Sequence, residues 1–129
     1  MSSLRRVFSL LVLAVLTMTA FAAEPAPDRV LRHVVLFQFK DSSTPADIET
    51  IVTAFRGLPE KVPQIKDFEW GTDVSPEGLA QGFTHCFLVT FASEADRDAY
   101  LPHPAHQAFV SVVGPHVEKV CVVDFWGQP

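Results

Sequence analysis

Leu31-Arg32-His33-Val34-Val35-Leu36-Phe37-Gln38-Phe39-Lys40 is the stretch that decides the fold. It is dense in β-branched and aromatic residues, which predicts a strand. Side chains alternate between the two faces of a strand, and here the alternating sets are His33, Val35, Phe37, Phe39 and Val34, Leu36, Gln38. Both sets are largely apolar. A strand covered on one side only alternates apolar with polar, so this one asks for cover on both faces.

Outward from it the pattern repeats. Asp41-Ser42-Ser43 breaks the strand, and Thr44-Pro45 with Asp47 marks a capped helix start. Ile48, Ile51, Val52 and Phe55 follow helical spacing, with Leu58 a turn further on and Gly57 and Pro59 as the stop. Residues 65–74 predict a second strand bent at Gly71, 75–82 a loop, and 83–91 a third strand. In the third strand His85, Phe87, Val89, Phe91 alternate with Cys86, Leu88, Thr90, again apolar on both sides. Ser93 caps a short helical turn over 94–100, a helix runs from Pro104 to about Val113 until Gly114-Pro115 stops it, and 118–126 predicts the last strand. The order β-α-β-β-α-β makes an α+β, ferredoxin-like domain with two helices on one face of an antiparallel sheet. The other face lacks cover from its own chain. A second copy of the sheet is the economical cover, giving a homodimeric α/β barrel in which Phe37, Phe87 and Val89 are expected where the copies meet.

The ends set further bounds. Arg5-Arg6, an apolar run over 7–21 and the small-x-small site Ala20-Phe21-Ala22 form the pattern of a secretory signal peptide over residues 1–22, with an uncleaved anchor as the alternative. Residues 23–30, with Pro25 and Pro27, read as a linker, and 31–126 as a single domain. The expected location is therefore exported, periplasmic or secreted. Loss of Arg5 and Arg6 takes the net charge from −5 to −7, which argues against nucleic acid as a partner and, after cleavage, against an anionic membrane. The two cysteines, Cys86 and Cys121, raise the question of a disulfide in an exported chain. The ferredoxin-like order puts the first strand between the third and fourth, so two spacings of ~4.8 Å separate their backbones and predict free thiols.

Chemistry concentrates in Tyr100-Leu101-Pro102-His103-Pro104-Ala105-His106. Pro104 suits a first helical position, which places His106 in the first turn. The positive helix end disfavours imidazolium there. A neutral His106 is a candidate general base and Tyr100 a candidate donor to a developing oxyanion; a helix cap with surface histidines is the plainer reading. His33 and His85 belong to the apolar strand face that would line a pocket, with a hydrogen-bonded core histidine as the plainer reading. His103 reads as a cap or a solvated residue, and His116 as surface. His103 and His106 lie one turn apart, and Asp124 could share their face, but zinc usually takes three or four protein ligands; no metal is expected. There is no Gly-rich phosphate loop, no G-x-S-x-G and no C-x-x-C, so no cofactor is expected.

Residues 32–40, Trp70-Gly71-Thr72-Asp73, Thr84-His85 with Val89-Thr90-Phe91, His103-Pro104-Ala105-His106 and Asp124-Phe125 together resemble the stress-responsive dimeric α/β-barrel (Dabb) family. The resemblance implies the dimeric barrel. One characterised member closes a linear polyketide by an aldol reaction without metal or cofactor. Its catalytic tyrosine and histidine fall on Tyr100 and His106, and a pocket histidine on His33. Two pocket aromatics fall on Ile51 and Phe55, small aliphatic residues on Phe87 and Val89, and a tryptophan on Val117. With Val35 and Phe37 on the same strand face as His33, the implied substrate-binding set is His33, Val35, Phe37, Phe55, Phe87 and Val89. Two function classes follow. One is a cofactor-free cyclase or lyase acting on a hydrophobic carbonyl compound. The other is a non-catalytic stress-response or apolar-ligand-binding dimer, its interior filled by Phe37, Phe39 and Phe87.

Overall fold

The structure, a computed structural model, describes residues 29–127; the expected signal peptide and most of the linker lie outside them. Four strands, β1 (Leu31–Phe39), β2 (Asp67–Thr72), β3 (His85–Phe91) and β4 (Val117–Trp126), form one antiparallel sheet in the order β2-β3-β1-β4. The helices are α1 (Pro45–Arg56), α2 (Leu58–Lys61), α3 (Glu94–Tyr100) and α4 (Pro104–Val113), followed by a 3-10 turn, Gly114–His116. This is the ferredoxin-like βαββαβ arrangement with two short helices added.

Local chemistry sets the helix starts. The Thr44 side chain accepts from the Asp47 amide while the Asp47 carboxylate accepts from the Thr44 amide, a reciprocal capping box ahead of Pro45. Ser93 caps α3 through the Asp96 amide. Gly57 does not simply end α1. It keeps right-handed angles, φ −79° and ψ −12°, and Pro59 takes an early position in α2, so the chain makes one more turn before Val62. The second strand is shorter than expected because the chain joins the ladder only from Asp67 to Thr72. In the loop ahead of β3, Gly82 at φ +85° backs onto the Gln38 side chain, where a Cβ would lie 2.8 Å from the amide nitrogen.

The helices cover the face bearing Leu31, His33, Val35, Phe37, Phe87, Val89 and Phe91, all buried. Ile51, Val52 and Phe55 from α1 and Phe109 and Val113 from α4 close over them, and the Phe55 ring lies 4.4 Å from both Phe87 and Phe109. A fully buried aromatic of this kind contributes roughly 1.5–3 kcal/mol. The expectation that Phe37, Phe87 and Val89 face a second copy is therefore corrected. The uncovered face carries Val34, flanked by Leu88 and Val123, and Leu36, flanked by Cys86 and Cys121. Val123 and Phe125 are 53% and 47% exposed there. The two cysteines are unpaired, on opposite sides of Leu36.

Candidate active site

Three elements bring the candidate residues together. β1 supplies His33, the end of α3 supplies Tyr100, and α4 supplies His106. The Tyr100 ring lies 4.3 Å from that of His106, 5.1 Å from Phe91 and 5.9 Å from His33. The cluster sits between the sheet and its own helices, not between two sheets. Tyr100 is fully buried, and its hydroxyl has no hydrogen-bond partner. Burial pushes the phenol above its usual pKa, so it is a proton donor at neutral pH.

The histidines are oriented by what their Nδ1 atoms touch. His106 Nδ1 lies 2.7 Å from the Leu101 carbonyl oxygen. A carbonyl only accepts, so the proton is on Nδ1 and Nε2 carries the lone pair. Burial lowers the His106 pKa; the Leu101 bond opposes this, and His33 and His103 add to the lowering. A neutral imidazole was expected from the helix dipole; the direction agrees, with burial as its leading cause. His33 Nδ1 is 2.6 Å from Asp124 Oδ1, and Asp124 Oδ2 accepts from the Arg97 guanidinium at 3.1 Å. Arg97 is held in turn by Asp98, which accepts from Nε at 3.1 Å and from the other terminal nitrogen at 3.0 Å.

Further along β1 a cavity lies between α4 and β4. Cross-strand register pairs His33 with Asp124, Val35 with Val122 and Phe37 with Val120. The His33–Asp124 pair is polar. Two residues from His33 along β1, about 7 Å at strand rise, and four from Asp124 along β4, begins a cavity of ≈ 460 Å³ lined by Val35 and Phe37 of the sheet, Phe109 and Val113 of α4, and Val117, Glu118 and Val120 at the start of β4. The polar His33–Asp124 pair and the mostly apolar cavity are thus neighbours along β1.

The structure thus groups Tyr100, His106 and His33, with Val35 and Phe37 next to them. Phe55, Phe87 and Val89 lie in the closed core, 1%, 0% and 0% exposed, and do not line the cavity. His85 lies at the far end of the sheet, between Trp70 and Phe39, with Nδ1 2.9 Å from the Thr84 hydroxyl. His103 caps α4, its Nδ1 accepting from the Ala105 amide at 3.0 Å. His116 is half-buried and bonded to Ser43. Among the described residues no three metal-ligating side chains gather. Sequence reasoning placed Asp124 near this face but not on His33, and it missed Arg97, which sits in a charged helical run that reads as a solvated surface.

Comparison with known proteins gives a consistent answer. The family model described as stress responsive A/B barrel domain (Dabb) matches residues 31–127. Olivetolic acid cyclase of Cannabis sativa is 34% identical over 95 residues, covering 74% of this chain and 94% of its own. A hydroxynitrile lyase from Passiflora edulis superposes with a TM-score of 0.74 at 31% identity, covering 79% of this chain and 96% of its own. A dimeric ferredoxin-like protein of unknown function from Thermobifida fusca superposes at 0.66 with 30% identity, covering 77% and 92%.

Proposed function

The chain belongs to the Dabb family of stress-responsive A/B barrel domains, and on that premise we propose that it is a cofactor-free cyclase or lyase for a hydrophobic carbonyl compound. The observation that carries this is the Tyr100 hydroxyl, buried without a partner beside a histidine whose Nε2 lone pair is free. A buried, unpaired hydroxyl costs roughly 1–3 kcal/mol, and a substrate oxygen that accepts its hydrogen bond recovers that cost at the moment of binding. Making or breaking a bond next to a carbonyl needs a base for one proton and a donor for the charge left on oxygen. His106 Nε2 fills the first role and Tyr100 the second, with His33 contacting the polar end of the substrate. The apolar part of the substrate lies along Val35 and Phe37. That two relatives of this family are named a cyclase and a lyase supports the reading.

The apolar face around Val34, Leu36, Leu88, Val123 and Phe125 is the support for a homodimer, together with a neighbour described as dimeric. Export rests on the basic, apolar, Ala-Phe-Ala pattern of residues 1–22; intact mass of the native protein tests it, and a chain retaining Met1 would refute it. The second reading, a non-catalytic apolar-ligand binder, draws on the way Phe55, Phe87 and Phe109 fill the space under the helices. A panel of β-polyketones and aromatic aldehydes titrated against protein labelled at histidine and valine separates the two. The catalytic reading expects ligand-induced shifts at His106 and His33 together. Shifts confined to the apolar cavity, or none, would overturn it.

A further inference from the structure

We propose that Arg97 is a positioning residue that acts through Asp124 to fix the His33 proton on Nδ1, so that His33 presents Nε2 as a second acceptor beside the Tyr100–His106 cluster. The inference rests on reading that cluster as an acid–base site, but its test needs no substrate. Asp124 has two carboxylate oxygens with two different partners: Oδ2 takes the Arg97 guanidinium at 3.1 Å and Oδ1 faces His33 Nδ1 at 2.6 Å. Alone, a carboxylate on an edge strand, its side chain 24% exposed, is free to rotate and to share its bonds with water. A guanidinium fork holds it in one plane. Arg97 can act as that fork because Asp98 accepts from its remaining nitrogens, which fixes the guanidinium at the end of α3. The rest of the His33 surroundings offers Nδ1 no competing partner: Phe91 and Tyr100 meet the ring edge-on at 6.2 and 5.9 Å.

A carboxylate can only accept, so its orientation decides the tautomer of the imidazole it faces, which in turn decides which nitrogen is left for chemistry. An amide in place of the carboxylate reverses the outcome, provided something still orients it. With Asp124→Asn, Arg97 donates to the amide oxygen, turns the amide NH₂ toward His33 Nδ1, and drives the proton to Nε2.

The test is the ¹⁵N spectrum of the histidine rings in the full mature chain at about pH 8, where an ordinary imidazole is neutral. Wild type is expected to show His33 Nδ1 in the protonated range and Nε2 in the unprotonated range. Asp124→Asn is expected to exchange the two. Arg97→Gln is expected to average them, and the double variant to average them as well, while the His106 signals keep their wild-type pattern. An unchanged His33 tautomer in Arg97→Gln, or an Asp124→Asn spectrum identical with and without Arg97, would overturn the proposal. Should Arg97→Gln fail to fold, Asp124→Asn alone decides, because a wild-type tautomer there contradicts an oriented amide. Either result leaves the role of His106 and Tyr100 to be judged separately by turnover.

Discussion

Tyr100→Phe removes one oxygen and is expected to stabilise the protein while weakening its chemistry. The ring of Tyr100 is packed on every side, against His106 at 4.3 Å, Phe91 at 5.1 Å and His33 at 5.9 Å, and phenylalanine keeps those contacts. What is lost is a buried hydroxyl with no hydrogen-bond partner. The penalty for such a group is roughly 1–3 kcal/mol. For a domain near 100 residues each kcal/mol moves Tm by about 4–8 °C, so Tyr100→Phe is expected to raise Tm by about 4 °C or more. Differential scanning calorimetry at about pH 7.5 measures it, with protein concentration held fixed because the proposed dimer would shift Tm by mass action. A binding residue kept at a cost to stability gives this result. A fall in Tm of the same size would show that the hydroxyl holds the fold together, and would refute the idea that it is held in reserve for a substrate oxygen.

The pH dependence of stability follows from His106 and His85, whose pKa values burial lowers. The unfolded chain binds their protons more readily than the folded one, so stability is full above about pH 6.5 and declines as pH falls below it. His106→Gln is expected to flatten that decline in thermal melts, and an unchanged slope would count against a neutral, buried His106. Any turnover is expected to fall on the same acid side, since the base must be unprotonated. Val123→Asp, on the uncovered face, is expected to give a folded monomer by light scattering, whereas Phe87→Asp, under the helices, is expected to unfold the chain; the opposite pair of outcomes would restore Phe87 to the interface. Thiol counting under denaturing, non-reducing conditions is expected to find two per chain, and none would mean a link between copies.

Much of this fold is written locally. Thr44-Pro45 with Asp47, Ser93, and His103-Pro104 each mark a helix start because each supplies a capping acceptor, and two of them a proline where no amide is needed. The alternation in β1 and β3 identified both side-chain sets. It did not say which set the helices cover, because Phe87 and Leu88 are equally apolar neighbours on opposite faces. That choice is made by tertiary packing, where the Phe55 and Phe109 rings meet Phe87 rather than Leu88. The same limit applies at the site. Tyr100 and His106 are close in sequence and could be read together. His33 and Asp124 are 91 residues apart and meet only because β1 pairs with β4, and Arg97 joins them from a helix whose Glu94, Asp96 and Asp98 give it the look of a solvated surface. The histidine was visible in the sequence, and Asp124 near its face; that the carboxylate meets His33 and the Arg97 guanidinium was not.

The most direct measurement of the central claim is the rate of His106→Ala on whichever β-polyketone or aromatic aldehyde the wild type converts. Removal of a general base typically costs about 10²–10⁴-fold. The account predicts a loss in that range with an unchanged dimer and a Tm close to wild type, because His106 is half-buried and its side chain makes one hydrogen bond, to the Leu101 carbonyl that ends α3. Full activity in His106→Ala, a wild type that converts no compound of either class, or a variant that unfolds outright would contradict it.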